Sequence, residues 1–389
     1  MGDPRDGRLL VGARVTARLP GGPSPERQVA FLQDLQRILD EGSFVATYKF
    51  ALIHALADLA VEPGDDSDAT LTLPTRDIAE RFIHLYWRQV VPFPGASIQA
   101  LLSQNTGQQA AIVNRVREAR VRYGDSVAAL EHDAAEWRRL VGEVDRVVRV
   151  MPLWRLQLVG DAVHEVLYRQ DEGAREITLL PGVAACFRAF HPLVLDLVEG
   201  AWSHFIRRLN ARALGEQADL RDFLFGSERT SLAPLRPILT EIQGDRCFYC
   251  EVRMRGASEV DHFIPWWRYP TDLGHNFVLA HAECNRRKSD HLAAEPHLAR
   301  WAQRNRTYTQ ELVSAFDLKR VRHDLAASER IARWAYGQIA ARQGRVWVEG
   351  STLVELGAGW EGALGRGPDL MPPPRGGSIG GGRIDQGGV

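Results

Sequence analysis

The residues best equipped for chemistry fall in one stretch of this 389-residue chain. It contains Cys247-Phe-Tyr-Cys250, then Val260-Asp261-His262-Phe-Ile-Pro265-Trp266, then His275-Asn276-Phe-Val-Leu-Ala-His281-Ala-Glu-Cys284-Asn285-Arg286-Arg287-Lys288. Three of the four cysteines lie here, two of them as Cys-x-x-Cys. Four cysteines in a chain of this size do not make a disulfide framework, and the spacing favours metal ligation over oxidation. The fourth, Cys186, sits in an apolar run and reads as an inert core residue.

The series resembles the HNH endonucleases, a branch of the ββα-metal nucleases, between about Gly244 and Leu298. Two metal sites separate within it. Cys247 and Cys250 form one knuckle, and His281 and Cys284, spaced alike, form the other. Three sulfurs and one nitrogen are the composition of a closed, tetrahedral, structural Zn2+ site. A module this small has little core, so metal binding supplies folding energy. The simpler alternative is that Cys247 and Cys250 are buried thiols.

The resemblance implies that Asp261 is a ligand of the catalytic metal and His262 the general base that activates water. Phosphodiester hydrolysis needs both kinds of group: a cation to offset charge on the phosphate and a base titrating near neutrality. It further implies that Asn276 fixes the intervening loop and orients the His262 imidazole. Asn285 stands where the family has its last histidine. In related nucleases an asparagine here ligates the metal through its carbonyl oxygen. Asp261 with Asn285 would be a hard oxygen site, suited to Mg2+ or Mn2+ rather than zinc. Arg286, Arg287 and Lys288 would lie on the first turns of a helix against the nucleic-acid backbone, contacting phosphates without reading sequence. Their alternative is a solvated helix face. His275 and His291 are candidates for phosphate or metal contact or surface histidines. Trp266 and Trp267 either stack on bases or pack under the loop.

The implied activity is metal-dependent hydrolysis of DNA phosphodiester bonds, with double-stranded DNA as partner, leaving 3′-OH and 5′-phosphate ends in a setting such as restriction or phage defence. The alternative is a non-catalytic zinc-stabilised nucleic-acid-binding module.

The positioning elements follow from periodicity and capping signals. Residues 1–24 are rich in Gly, Pro and Arg and read as a disordered lead-in. Ser24-Pro25-Glu26 starts a helix that Gly42 ends, and a second runs from Ser43 to Glu62. His54 and Asp58 lie one turn apart in it and read as a buried hydrogen-bonded pair. Further helices are expected over Arg76–Val91, Ile98–Tyr123, Ala128–Val150 and Asp161–Tyr168. A strand is expected at Ile177–Leu180, then a helix over Val183–Leu209 broken at Pro192. Another helix is expected within Ser231–Ile242. Beyond the motif, Leu298–Tyr308 and Ser328–Gln343 read as helices and Val346–Leu356 as a strand and turn. The fold class is therefore mainly α: a helical N-terminal domain (25–230), a small ββα-metal module (231–298), a helical C-terminal extension (299–356) and a Gly/Pro-rich flexible tail (357–389).

Charge sets a limit on how nucleic acid is held. The formal net charge is −1, so binding must use local basic patches rather than a global field. Arg115, Arg117, Arg120 and Arg122, followed by Arg138, Arg139, Arg146 and Arg149, are a candidate backbone track. The N-terminus lacks a signal-peptide pattern, and no apolar run reaches bilayer length. A cytoplasmic protein without a membrane partner is expected.

Overall fold

The computed structural model describes residues 21–42, 44–94, 101–159, 161–171, 173–214, 219–226 and 233–365. The expectations for most of the lead-in, the tail beyond Gly365, the start of the Ile98 helix, Ser43 and Ser231 lie outside them. The fold is mainly α.

Helix α1 (Pro25–Glu41) begins as its sequence dictates: extended Ser24 accepts the Arg27 amide through its hydroxyl, and proline occupies the first turn. Helix α2 (Tyr48–Val61) is buried along its whole length. A helix that is apolar on all sides must be surrounded. Strand β1 (Leu71–Pro74) then leads into α3 (Thr75–Gln89), and α4 (Ala111–Tyr123), α5 (Val127–Glu131), α6 (Ala134–Val150) and α7 (Pro152–Arg155) follow. Strands β2 (Leu158–Val159), β3 (Ala162–Val163), β4 (Tyr168–Arg169) and β5 (Glu176–Leu179) come next, then α8 (Val183–Ala189), α9 (His191–Leu209) and α10 (Leu220–Phe225). Helices α3, α7, α8 and α9 pack on α2. Their side chains merge into one core running from Phe31 to Leu224. The β1-β5-β4 sheet is antiparallel.

Several expected helices start late, break or are replaced by strand. The Ile98–Tyr123 helix starts only at Ala111 among the described residues. The Ala128–Val150 helix is interrupted at His132, and Asp133 caps the second piece through the Glu136 amide. Asp161–Tyr168 is not helical. Leu158–Val159 and Ala162–Val163 pair as a hairpin instead, and the Gln157 amide oxygen accepts the Val166, Leu167 and Tyr168 amides. That one side chain meets backbone needs that a helix would otherwise satisfy. The break near Pro192 falls at Phe190, with Pro192 in the first turn of α9.

The second region begins with a short 3-10 turn (Ala233–Leu235) and α11 (Arg236–Ile242). Strands β6 (Ser258–His262) and β7 (Phe277–His281) form an antiparallel pair in the register Asp261↔Val278 and His262↔Phe277. Helix α12 (Ala282–Lys288) follows β7 without a break. Then come α13 (Glu295–Thr307), α14 (Thr309–Lys319), α15 (Leu325–Ala341), the hairpin β8 (Arg345–Glu349) with β9 (Thr352–Glu355), and α16 (Trp360–Ala363). Helix α14 had no sequence expectation. Helix α15 is capped by Asp324 rather than Ser328, whose hydroxyl donates to the Asp324 carbonyl. A second core gathers Cys247, Phe248, Tyr249, Phe263, Trp301, Trp334 and Trp347. No helix among the described residues is long and apolar enough to cross a membrane.

Candidate metal centre and adjoining polar site

The first knuckle is a tight turn. The Glu251 amide donates to the Cys247 carbonyl at 2.9 Å, and Asp245 and Glu251 adopt left-handed backbone conformations on either side. The second knuckle is the junction of β7 with α12, which supplies His281 as the last strand residue and Cys284 from the first helical turn. The four potential ligand atoms of Cys247, Cys250, His281 and Cys284 all lie within 4.8 Å of one another. Cys250 Sγ is 3.4 Å from His281 Nδ1. The cluster can hold a metal ion such as zinc: three sulfurs and an imidazole nitrogen converging this closely match a tetrahedral site. Desolvation, with Cys247 and Cys250 close by, pushes the Cys284 thiol up to about 12.

Asp261 lies on β6, two residues from Glu259 and on the same face of the strand. Its carboxylate accepts the Tyr249 hydroxyl, and its Oδ2 is 3.0 Å from Lys288 Nζ. Lys288 is fully buried and also donates to the His262 carbonyl at 2.9 Å. The expected phosphate contact by Lys288 is therefore corrected: its ammonium faces inward because a buried carboxylate needs a counter-charge. Burial, reinforced by Asp261, raises the Tyr249 phenol well above its ordinary value, which keeps it a donor. Asn285, one turn before Lys288, donates its amide to Glu259 at 2.8 Å.

His262 points to the other face. Its ring packs against Trp266 and Phe277, with Nε2 2.7 Å from Asp272 Oδ1. The carboxylate can only accept, so Nε2 carries the hydrogen, and in the neutral ring Nδ1 would present the lone pair. The imidazole is thus oriented by Asp272 and not, as expected, by Asn276. Asn276 instead clamps the loop: its amide oxygen accepts the Ile264 amide at 2.8 Å, and its amide nitrogen donates to the Ile264 carbonyl at 3.0 Å. Sequence reasoning overlooked Asp272, although it is the only acidic side chain between His262 and Asn276.

Arg286 and Arg287 are exposed, and both pair with Glu283 on the same helix. His275 is not a surface group. It is buried beside Phe316, and burial pulls its imidazole down to about 4. His291 is half-buried and faces the Lys288 carbonyl. Trp266 is half-buried against His262, while Trp267 is exposed. The expected basic track is largely neutralised within its own helices. Arg115 and Arg139 pair with Glu143, Arg122 with Glu136, and Arg149 with Asp145.

In the helical region the His54–Asp58 pair is buried and extended. His54 Nδ1 lies 3.2 Å from Asp58 and its Nε2 3.6 Å from Glu199, while His191 Nε2 meets Asp58 at 2.9 Å. Burial alone would pull the His54 imidazole down, but Asp58 and Glu199 outweigh it and hold it up to about 10. Burial would likewise raise the Asp58 carboxyl, but His54 and His191 hold it well below the usual carboxylate range.

A family model described as a domain of unknown function (DUF8808) matches residues 28–224, about half of the chain and all of it on the helical side of the cysteine cluster. No curated protein and no solved structure matches.

Proposed function

We propose that this chain, which belongs to the DUF8808 family, is an HNH-type endonuclease that hydrolyses DNA phosphodiester bonds at His262. The observation that carries this reading is the half-buried His262–Asp272 pair at the mouth of a β-hairpin whose far end is tied to a four-ligand cluster. His262 Nδ1 takes a proton from the attacking water. Asp272 stabilises the imidazolium that forms. The bond from phosphorus to the 3′ oxygen breaks, and the departing oxygen is protonated by solvent. Arg286 and Arg287 hold the backbone from the exposed face of α12.

In this reading the ion at the cysteine cluster is Zn2+ and its role is structural, because four protein ligands leave no open position. The expected Mg2+ or Mn2+ site fits less well. Carboxylate and amide oxygens have the right chemistry for such ions. But Lys288 and Tyr249 both engage Asp261 Oδ2 and the Asn285 amide nitrogen donates to Glu259, so a divalent cation would be held by Asp261 Oδ1 and the Asn285 carbonyl oxygen, at a carboxylate whose charge Lys288 already offsets. That neutralised Asp261 favours a second reading, a zinc-stabilised module that binds nucleic acid without cutting it.

The test is plasmid incubated with the full chain in Mg2+, Mn2+ or chelator, beside His262→Ala. The nuclease reading expects nicked or linear product and a loss of about a hundredfold or more in His262→Ala. Equal cutting by both proteins would sink it. Salt-sensitive binding without product would establish the second reading.

A further inference from the structure

We infer that Tyr269 is a positioning residue through which the helical region holds the loop that orients His262; this rests on the nuclease reading above. The loop runs from His262 to Asn276 and carries Asp272. Its ends are pinned by the Asn276–Ile264 clamp. Its middle is pinned by Tyr269, which reaches out of the module. The Tyr269 hydroxyl donates to Glu62 Oε1 at 2.9 Å and lies 3.5 Å from the Asp58 carbonyl, both at the C-terminal end of α2. Its ring stacks on His191 at 5.5 Å and meets Trp334 edge-on at 6.0 Å.

This socket is stiff because each wall is itself held. Glu62 is paired through its other oxygen with buried Arg81. His191 is hydrogen-bonded to Asp58, which is paired with His54. The Tyr269 phenol stays a donor, since burial and then Glu62 raise it well above its ordinary value.

The coupling from Tyr269 to Asp272 is short. The Thr271 amide donates to the Tyr269 carbonyl at 2.8 Å, so the two residues belong to one turn. Among the described residues the Asp272 carboxylate has no hydrogen-bond partner besides His262. Its position is therefore set by the backbone of that turn. A hydroxyl held by α2 thus fixes where the imidazole points. A misplacement of reacting groups by a fraction of an ångström is enough to slow chemistry strongly.

The experiment uses the full chain with Tyr269→Phe, which keeps both ring contacts and removes only the hydroxyl, and Glu62→Gln as the second variant. Two quantities are read: plasmid cleavage, split into kcat and KM, and amide hydrogen exchange across residues 263–276. The expected result in Tyr269→Phe is several-fold faster exchange confined to that loop, unchanged metal content, and kcat lowered about tenfold with KM held, equivalent to about 1.4 kcal/mol. Unchanged loop exchange in both variants overturns the proposal. So does faster exchange with kcat intact. If the wild-type chain shows no His262-dependent cleavage, the nuclease reading has failed on its own, and the exchange data alone decide whether Tyr269 holds the loop.

Discussion

Cys247, Cys250, His281 and Cys284 on one side, and His54, Asp58, His191 and Glu199 on the other, are both groups of four side chains of the kinds that bind metals. They resolve their burial in opposite ways. In the first, the ligand atoms converge within 4.8 Å and are mostly sulfur, so they cannot neutralise one another. In the second, imidazoles alternate with carboxylates at 2.9–3.6 Å, and Arg221 adds a further positive charge against Glu199. A buried polar group must be paired, whether by its neighbours or by a guest ion. The helical cluster offsets its own charges, with His54 Nδ1 and His191 Nδ1 left without a hydrogen-bond partner among the described residues, while the cysteine cluster calls for a cation. Residue type alone does not separate the two cases; alternation of charge does.

Three measurements would break or sharpen this contrast. The largest effect is expected from metal removal. Chelation, or Cys247→Ser, should unfold the region around the knuckles while the helical region keeps its far-ultraviolet signal. Structural zinc sites contribute on the order of 10 kcal/mol to folding. Metal analysis should find one zinc per chain, and a chain with no bound metal and unaltered melting would erase the distinction. Next is Asp58→Ala, which strands His54 and His191 in the core. Loss of one partner from a buried charged cluster costs about 3–5 kcal/mol, so the urea midpoint should fall sharply with zinc content unchanged. Zinc loss in this variant would mean that the two clusters are not independent.

The smallest effect is a pH dependence that belongs to the helical cluster alone. The His54 imidazole is held above its ordinary value, to about 10. Its contribution is therefore fully present below about pH 6.5 and is lost as pH rises toward 10. Asp58 is held low, so its contribution is present above about pH 4 and is lost only below that. Stability measured from pH 6.5 to 10 should decline in the wild type and flatten in His54→Asn. A parallel decline in both would assign the slope to other groups.

The cysteine cluster was legible in the sequence because its ligands are near neighbours at fixed spacing. So was α1, whose cap and proline are local signals. What escaped was set by distant partners. Lys288 looked like a phosphate contact because nothing in Arg286-Arg287-Lys288 tells that the third side chain turns inward to Asp261 on β6. Asp272 was overlooked because its role needs the loop to fold back on His262. The hairpin near Asp161 was mistaken for helix because Gln157 replaces backbone partners that periodicity cannot count. His191 and Glu199 joined the His54–Asp58 pair from far along the chain, where no spacing rule reaches.

The late hairpin also bears on how the chain comes off the ribosome. Trp347 bridges to Ala293 just after α12, exchanges backbone hydrogen bonds with Leu292 and Ala294, and packs edge-on against Tyr249, the residue that holds Asp261. The ring that closes the polar site is thus made well after the knuckles themselves. Contacts between distant segments form only once both are available. During synthesis the ligand cluster can assemble while the neighbouring carboxylate still lacks its final packing, which comes only once the β8–β9 hairpin has emerged.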